Sequence, residues 1–203
     1  MNAAPGSILV VVTRRIGDVL LATPVIRSLR RKWPDAAIDV LVFAGTDGIL
    51  AGNPDIRRVI KIAERPTFQQ HFALAKQLWR PYDLALSLIP GDRPAIYAWL
   101  AGRTSIGLVI DSPKHYWKRW LLSGWVPFEN ANAHTIQSYL RILTALDVTP
   151  SQEVVAGWTH HDVITANAKL NDAAITGDFV VMHPSPKFAY KTWTLAGWRD
   201  VGN

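Results

Sequence analysis

Runs of apolar, largely β-branched residues alternate along this chain with stretches whose apolar positions recur every three or four residues, and that alternation restricts the fold more than any other feature. Ile8 to Thr13 is a continuous run, and Val19, Ala22, Ile26, Leu29 and Trp33 follow it at helical spacing. Pro34-Asp35 ends that helix. Ile38 to Phe43 reads as a second strand and, after the turn Gly52-Asn53-Pro54, Arg58 to Ile62 as a third. Phe68, Phe72, Ala75 and Leu78 mark another helix, Leu84 to Ile89 a fourth strand, Arg93 to Ala101 a short helix and Ser105 to Ile110 a fifth strand. Solid apolar strands separated by amphipathic helices predict a parallel sheet covered on both faces, the α/β doubly wound class.

Ile136, Leu140, Leu143 and Leu146 space a further helix from about His134 to Asp147, and Thr149-Pro150-Ser151-Gln152 breaks the chain after it. A polar helical stretch from Asp162 to Leu170 then leads to a fresh strand, Phe179 to Met182, a loop rich in Pro and Lys, and a helix start at Leu195. The 203 residues suffice for one domain and a fragment of another. The expected division is therefore residues 1–176 as a first domain with its exit helices, and 177–203 as the opening of a second α/β unit whose remainder is missing. The alternative is that the last strand completes the first sheet as an edge.

The chain has 49% apolar and 19% charged residues, which predicts a folded core, and it has no cysteine, which rules out disulfides, thiolate metal sites and a cysteine nucleophile. A cytosolic address fits. Its apolar runs fall short of the roughly 18 residues that span a bilayer, and Arg14-Arg15 stand where a signal peptide needs small residues. The net charge of +6 and pI near 9.8 predict attraction to anions. Gly-x-Gly-x-x-Gly, Gly-Lys-Ser/Thr and Gly-x-Ser-x-Gly are all absent, so neither a dinucleotide cofactor, a P-loop nor a serine elbow is supported. No histidine and carboxylate spacing completes a metal site.

In such sheets ligands bind beyond the carboxyl ends of the strands. Asp18, in Arg14-Arg15-Ile16-Gly17-Asp18 after the first strand, has two readings: a helix N-cap, or a general base taking a proton from an attacking hydroxyl while Arg14 and Arg15 gather an anionic substrate. The loop from His183 to Trp193 carries Ser185, Lys187, Lys191 and Thr192 before a helix start, and reads either as a diphosphate site or as a solvated basic loop. Lys114-His115-Tyr116-Trp117-Lys118-Arg119-Trp120 interleaves cations with aromatics. It suits sugar phosphates, single-stranded nucleic acid or an anionic membrane, or else it is a helix burying Trp117 and Trp120 with its cations in water.

Ile8 to Val12 followed by Arg15-Ile16-Gly17-Asp18-Val19-Leu20-Leu21-Ala22-Thr23-Pro24 resembles the N-terminal motif of glycosyltransferase family 9, the lipopolysaccharide heptosyltransferases. Residues 29–36, Gly52-Asn53-Pro54, His134, His183-Pro184 and Lys191-Thr192-Trp193 continue the resemblance in order. It implies a GT-B fold of two Rossmann-like domains, with inverting transfer that needs no metal or cofactor. The donor would be ADP-L-glycero-D-manno-heptose and the acceptor the lipopolysaccharide inner core. The resemblance implies Asp18 as the base and Lys191, with Thr192 beside it, on the donor diphosphate, where the loop reading adds Ser185 and Lys187. It implies Arg65, Lys114 and His134 around the anionic acceptor, which Arg14 and Arg15 would help gather beside Asp18.

The enzyme would work in the cytoplasm, with peripheral contact at the inner membrane surface and no nucleic-acid partner. Ser185-Pro186, in place of the family's usual glycine, is similar to the heptosyltransferase III type, and Lys114 replaces a frequent arginine. Most of a donor domain is lacking, so the chain alone is expected to be inactive. The competing expectation is a non-catalytic α/β module that binds anionic glycolipid or nucleic acid through residues 114–120.

Overall fold

The computed structural model describes residues 4–129, 133–186 and 188–202. Six strands, β1 (Ser7–Val11), β2 (Ala37–Phe43), β3 (Arg58–Ile62), β4 (Tyr82–Ser87), β5 (Gly102–Val109) and β6 (Gly124–Pro127), form one sheet in the order β3-β2-β1-β4-β5-β6. All five pairings are parallel, from Val40↔Val59 at one end through Val10↔Leu86 at the centre to Leu108↔Val126 at the other. The central strands are apolar on both sides because helices cover both faces.

One face packs under α1 (Ile16–Leu20), α2 (Thr23–Lys32) and α6 (Thr135–Leu140), around Ile8, Val10, Ile26, Leu29, Ile38 and Leu143. The other packs under α3 (Phe68–Gln77), α4 (Asp92–Ala101) and α5 (Trp117–Leu121), around Leu9, Val11, Leu74, Leu78, Ala98 and Leu122. The expected single helix after β1 is two, α1 and α2, separated at Leu21-Ala22; Thr23 Oγ1 donates to the Leu20 carbonyl there and Pro24 opens α2. The helix expected from His134 to Asp147 is α6 continued by a 3₁₀ segment, Arg141–Leu146, that stops at Asp147 in the left-handed region. β6 was not expected from the sequence.

The amino ends of the strands are tied by polar side chains. Asp39, fully buried in β2, accepts from Arg57 at 2.9 and 2.7 Å, from Arg58 at 2.9 Å and from the Tyr82 hydroxyl at 2.6 Å. Burial acts to raise the Asp39 carboxyl, but the hydrogen bonds from Arg57 and Tyr82 and the two guanidinium charges outweigh it and hold the group below its ordinary range. Beside it, Asp83 accepts from the Ser7 hydroxyl and the backbone of Gly6 and Ser7.

Residues 149–158 return as a strap across the first face. The Ser151 amide donates to Ser28 Oγ, the Val155 amide to Thr23 Oγ1, and Asn53 Nδ2 to the Val155 carbonyl. Gly52, at φ +69°, and Gly157 let the two backbones touch: a Cβ on Gly157 would stand 2.4 Å from the Ala51 carbonyl oxygen.

The chain packs as two units, Met1–Thr159 and His160–Asn203. The second holds α7 (His160–Asp172), a 3₁₀ turn at Ala189–Lys191 and α8 (Leu195–Gly202). The run expected as a strand, Phe179 to Met182, is exposed and makes no ladder among the described residues. A strand needs a hydrogen-bonded neighbour, and no described segment of this unit supplies one.

Candidate functional site

The sheet runs outward from β1 in one direction through β2 and β3 and in the other through β4, β5 and β6, so the strand order reverses between β1 and β4. A crevice opens at the carboxyl ends of the strands at such a reversal, because the loops on either side depart to opposite faces. Asp18 lies there, in the first turn of the helix that follows β1. The N-cap of α1 is Arg15, with no side-chain cap bond, so Asp18 is not the capping residue. Its carboxylate is 24% exposed and lies 3.6 Å from Arg14 Nε, itself over half exposed. Tyr139, buried on α6, has its phenol pushed up by burial and then by the neighbouring Asp18 charge, with Arg14 acting in the opposite sense. Asp18 is thus flanked by a cation and a neutral hydroxyl.

The other candidates of this unit stand on the same edge. Arg65 follows β3, Lys114 follows β5 and His134 precedes α6 after β6, and all three are exposed. His134 caps α6, its Nδ1 accepting from the Ile136 amide at 3.3 Å. Arg65 and His134 stand beyond strands five spacings apart, about 24 Å, so they bracket a wide rim and do not converge on one atom. Arg15 is exposed beside Asp18.

Within the 114–120 stretch the structure reverses the simple amphipathic expectation. Trp120 is 90% exposed, whereas Lys118 is fully buried. The Lys118 ammonium donates to Asp92 Oδ1 at 2.7 Å and the Pro90 carbonyl at 2.7 Å, and lies 3.1 Å from His115 Nδ1. These contacts join the loop after β4 to the segment after β5. The Lys118 hydrogen bond comes first among the causes that hold the Asp92 carboxyl below its ordinary range, with the Lys118 and Lys114 charges adding to it against burial. Arg119 is held by Asp111 and lies between the Tyr116 and Trp125 rings, 4.2 and 4.0 Å from their centroids. Sequence reasoning missed Asp92 and Lys118 as a pair, since a lysine beside two tryptophans gives no sign of pointing inward.

In the second unit Ser185 and Thr192 are exposed, and Lys187 lies outside the described residues. The Lys191 ammonium stands 5.9 Å from the Phe188 ring centroid and 5.8 Å from that of Tyr190. The Lys191 and Thr192 amides donate to the Phe188 and Ala189 carbonyls, so the donors left for an anion are the ammonium and the Thr192 hydroxyl. Among the described residues no group of histidines and carboxylates could hold a metal ion, and no helix is long and apolar enough to cross a membrane.

This parallel sheet has the Rossmann-like architecture of one half of a GT-B fold. The crystal structure of a glycosyl transferase family 9 protein from Veillonella parvula superposes with a TM-score of 0.82 at 18% identity, over 97% of this chain and 58% of that one. The E. coli heptosyltransferase WaaC with ADP gives 0.68 at 17% identity, over 96% and 61%. In sequence the chain is 30% identical over 198 residues to lipopolysaccharide heptosyltransferase 3 of Escherichia coli, over 91% of this chain and 56% of that protein. No family model matches. Over nearly all its length the chain is thus related in sequence and fold to the heptosyltransferases of glycosyltransferase family 9, and it spans a little over half the length of the curated relatives it matches.

Proposed function

We propose that residues 1–176 form the acceptor-binding half of an inverting, metal-independent heptosyltransferase of lipopolysaccharide core synthesis, and that 177–203 open its donor half. The observation that carries this reading is a solvent-reachable carboxylate, Asp18, at the switch point of the sheet with cations beside it. Asp18 takes the proton of an acceptor heptose hydroxyl as that oxygen bonds to the anomeric carbon of ADP-heptose. The bond from that carbon to the diphosphate breaks on the opposite face, and ADP leaves with the electron pair. Lys191 and Thr192, with Ser185 and Lys187, balance the charge of the departing diphosphate. Arg14, Arg15, Arg65, Lys114 and His134 present positive charge and hydrogen-bond donors to the acid groups of the inner core along the rim.

The ADP and ADP-2-deoxy-2-fluoro heptose complexes of E. coli WaaC support a nucleotide-heptose donor here. The competing module reading loses support from the burial of Lys118 and the pairing of Arg119, which leave Lys114 as the outward cation of the 114–120 stretch. The test is sugar transfer by this sequence joined to a complete donor domain. Asp18→Asn should lower kcat by about a hundredfold or more while acceptor binding by calorimetry changes less than about twofold. Unchanged kcat in that variant removes the assignment of the base.

A further inference from the structure

The least expected surface of the first unit is on α3. A capping box between Thr67 and Gln70 fixes its amino end, and Leu74 and Leu78 turn inward onto the sheet. On the outward side Phe68 and Phe72, one turn apart, are 84% and 66% exposed, and Trp79, just past the last turn, is 68% exposed. Phe72, Ala75, Lys76 and Trp79, with Leu100 of the neighbouring helix, line a shallow groove of about 460 Å³. Three exposed aromatic rings along this face, Phe72 and Trp79 sharing the groove and Phe68 one turn away, make an apolar patch of the kind that marks an interaction surface.

The charge around the patch selects what covers it. From Arg65 to Tyr82 the chain has no Asp or Glu, while Arg65, Lys76 and Arg80 are all exposed. Aromatic side chains on one line of a helix with cations alongside match an anionic bilayer, where rings enter the boundary between headgroups and acyl chains and cations meet the phosphates. We infer that the outward face of α3 docks this protein onto an anionic membrane surface. α3 is already folded and capped, so docking orders no new backbone. Because α3 begins beyond the carboxyl end of β3, its Phe68 end, with Arg65, lies toward the crevice edge of the sheet. Docking through it brings that edge to the membrane from the side.

The test is co-sedimentation of the 203-residue chain with phosphatidylcholine vesicles with and without phosphatidylglycerol, which hold no saccharide acceptor. The outcome is therefore independent of the transfer reading above. The chain should bind the phosphatidylglycerol vesicles and release them as salt rises. Phe72→Ser with Trp79→Ser should lower partitioning by about tenfold or more with an unchanged circular dichroism spectrum, since two apolar anchors are lost from exposed positions. Lys76→Glu with Arg80→Glu should lower it and flatten the salt dependence. Failure to bind the anionic vesicles, or equal binding by the folded aromatic variant, overturns the inference. So does a concentration-dependent dimer in sedimentation equilibrium that the aromatic substitutions abolish, since a second copy is then the occupant.

Discussion

Lys118 carries three N–H donors and faces three acceptors, the Asp92 carboxylate, the Pro90 carbonyl and His115 Nδ1. An ammonium only donates, so Nδ1 of His115 accepts and the ring proton sits on Nε2. Lys118→Met keeps most of the stem volume but strands the Pro90 carbonyl and removes the partner of Asp92. It should cost about 2–4 kcal/mol in urea denaturation, and the imidazole nitrogen shifts of His115 should lose the Nε2–H signature.

Tyr82 gives a second test. Burial, then its hydrogen bond to Asp39, pushes the phenol up to about 12. A tyrosine raised in the folded state supports folding fully below its unfolded value of about 10, and that support is lost as pH climbs from about 10 to about 12, a change of roughly 2–3 kcal/mol. Tyr82→Phe should flatten this alkaline fall in the urea midpoint. The depressed Asp39 carboxyl works in the other direction, losing its contribution as pH drops below about 4. Of these residues the sequence marks His115 and Lys118 in advance, and only as members of a cationic aromatic stretch, whereas Asp18 stands out because its motif is local; Asp39 with Tyr82 and Asp92 with Lys118 are partners made by the fold.

At the level of elements, periodicity reveals a strand or helix when one face is continuously apolar, and it loses the element when packing or hydrogen bonding alone defines it. β1, β2 and β4 are legible for the first reason. β6 is Gly-Trp-Val-Pro, too short and too poor in β-branched residues to stand out, and Pro127 is tolerated because it ends an edge strand. α4 passes into β5 with no loop, since Gly102 has no Cβ to meet Ala85, so the two elements blur in sequence. The strap is invisible for another reason: its backbone is held by Ser28, Thr23 and Asn53, distant in the chain. Gly157→Ala should drive a methyl into the Ala51 carbonyl and loosen the strap, costing about 1–3 kcal/mol. Hydrogen exchange should rise at the amides of Ser151 and Val155 while the strand amides stay protected.

For the molecule as a whole, the doubly wound class was readable because six parallel strands need six apolar cores of sequence, five of which are plain. What the sequence withheld is the packing of residues 179–182, whose apolar composition reads as a strand although no described neighbour pairs with it. The candidate site was readable as a set of loops but not as an arrangement, because the separation of Arg65 from His134 follows from strand order and not from chain order. The two ends of the sheet divide their labour. Asp39, Arg57, Arg58, Tyr82, Asp83 and Ser7 clamp the amino end, and Asp18, Arg65, Lys114 and His134 stand on the loops and first helical turns at the other. A chain built this way is evolvable at its carboxyl end: residues there can exchange and drift toward a new ligand while the frame they stand on keeps its shape.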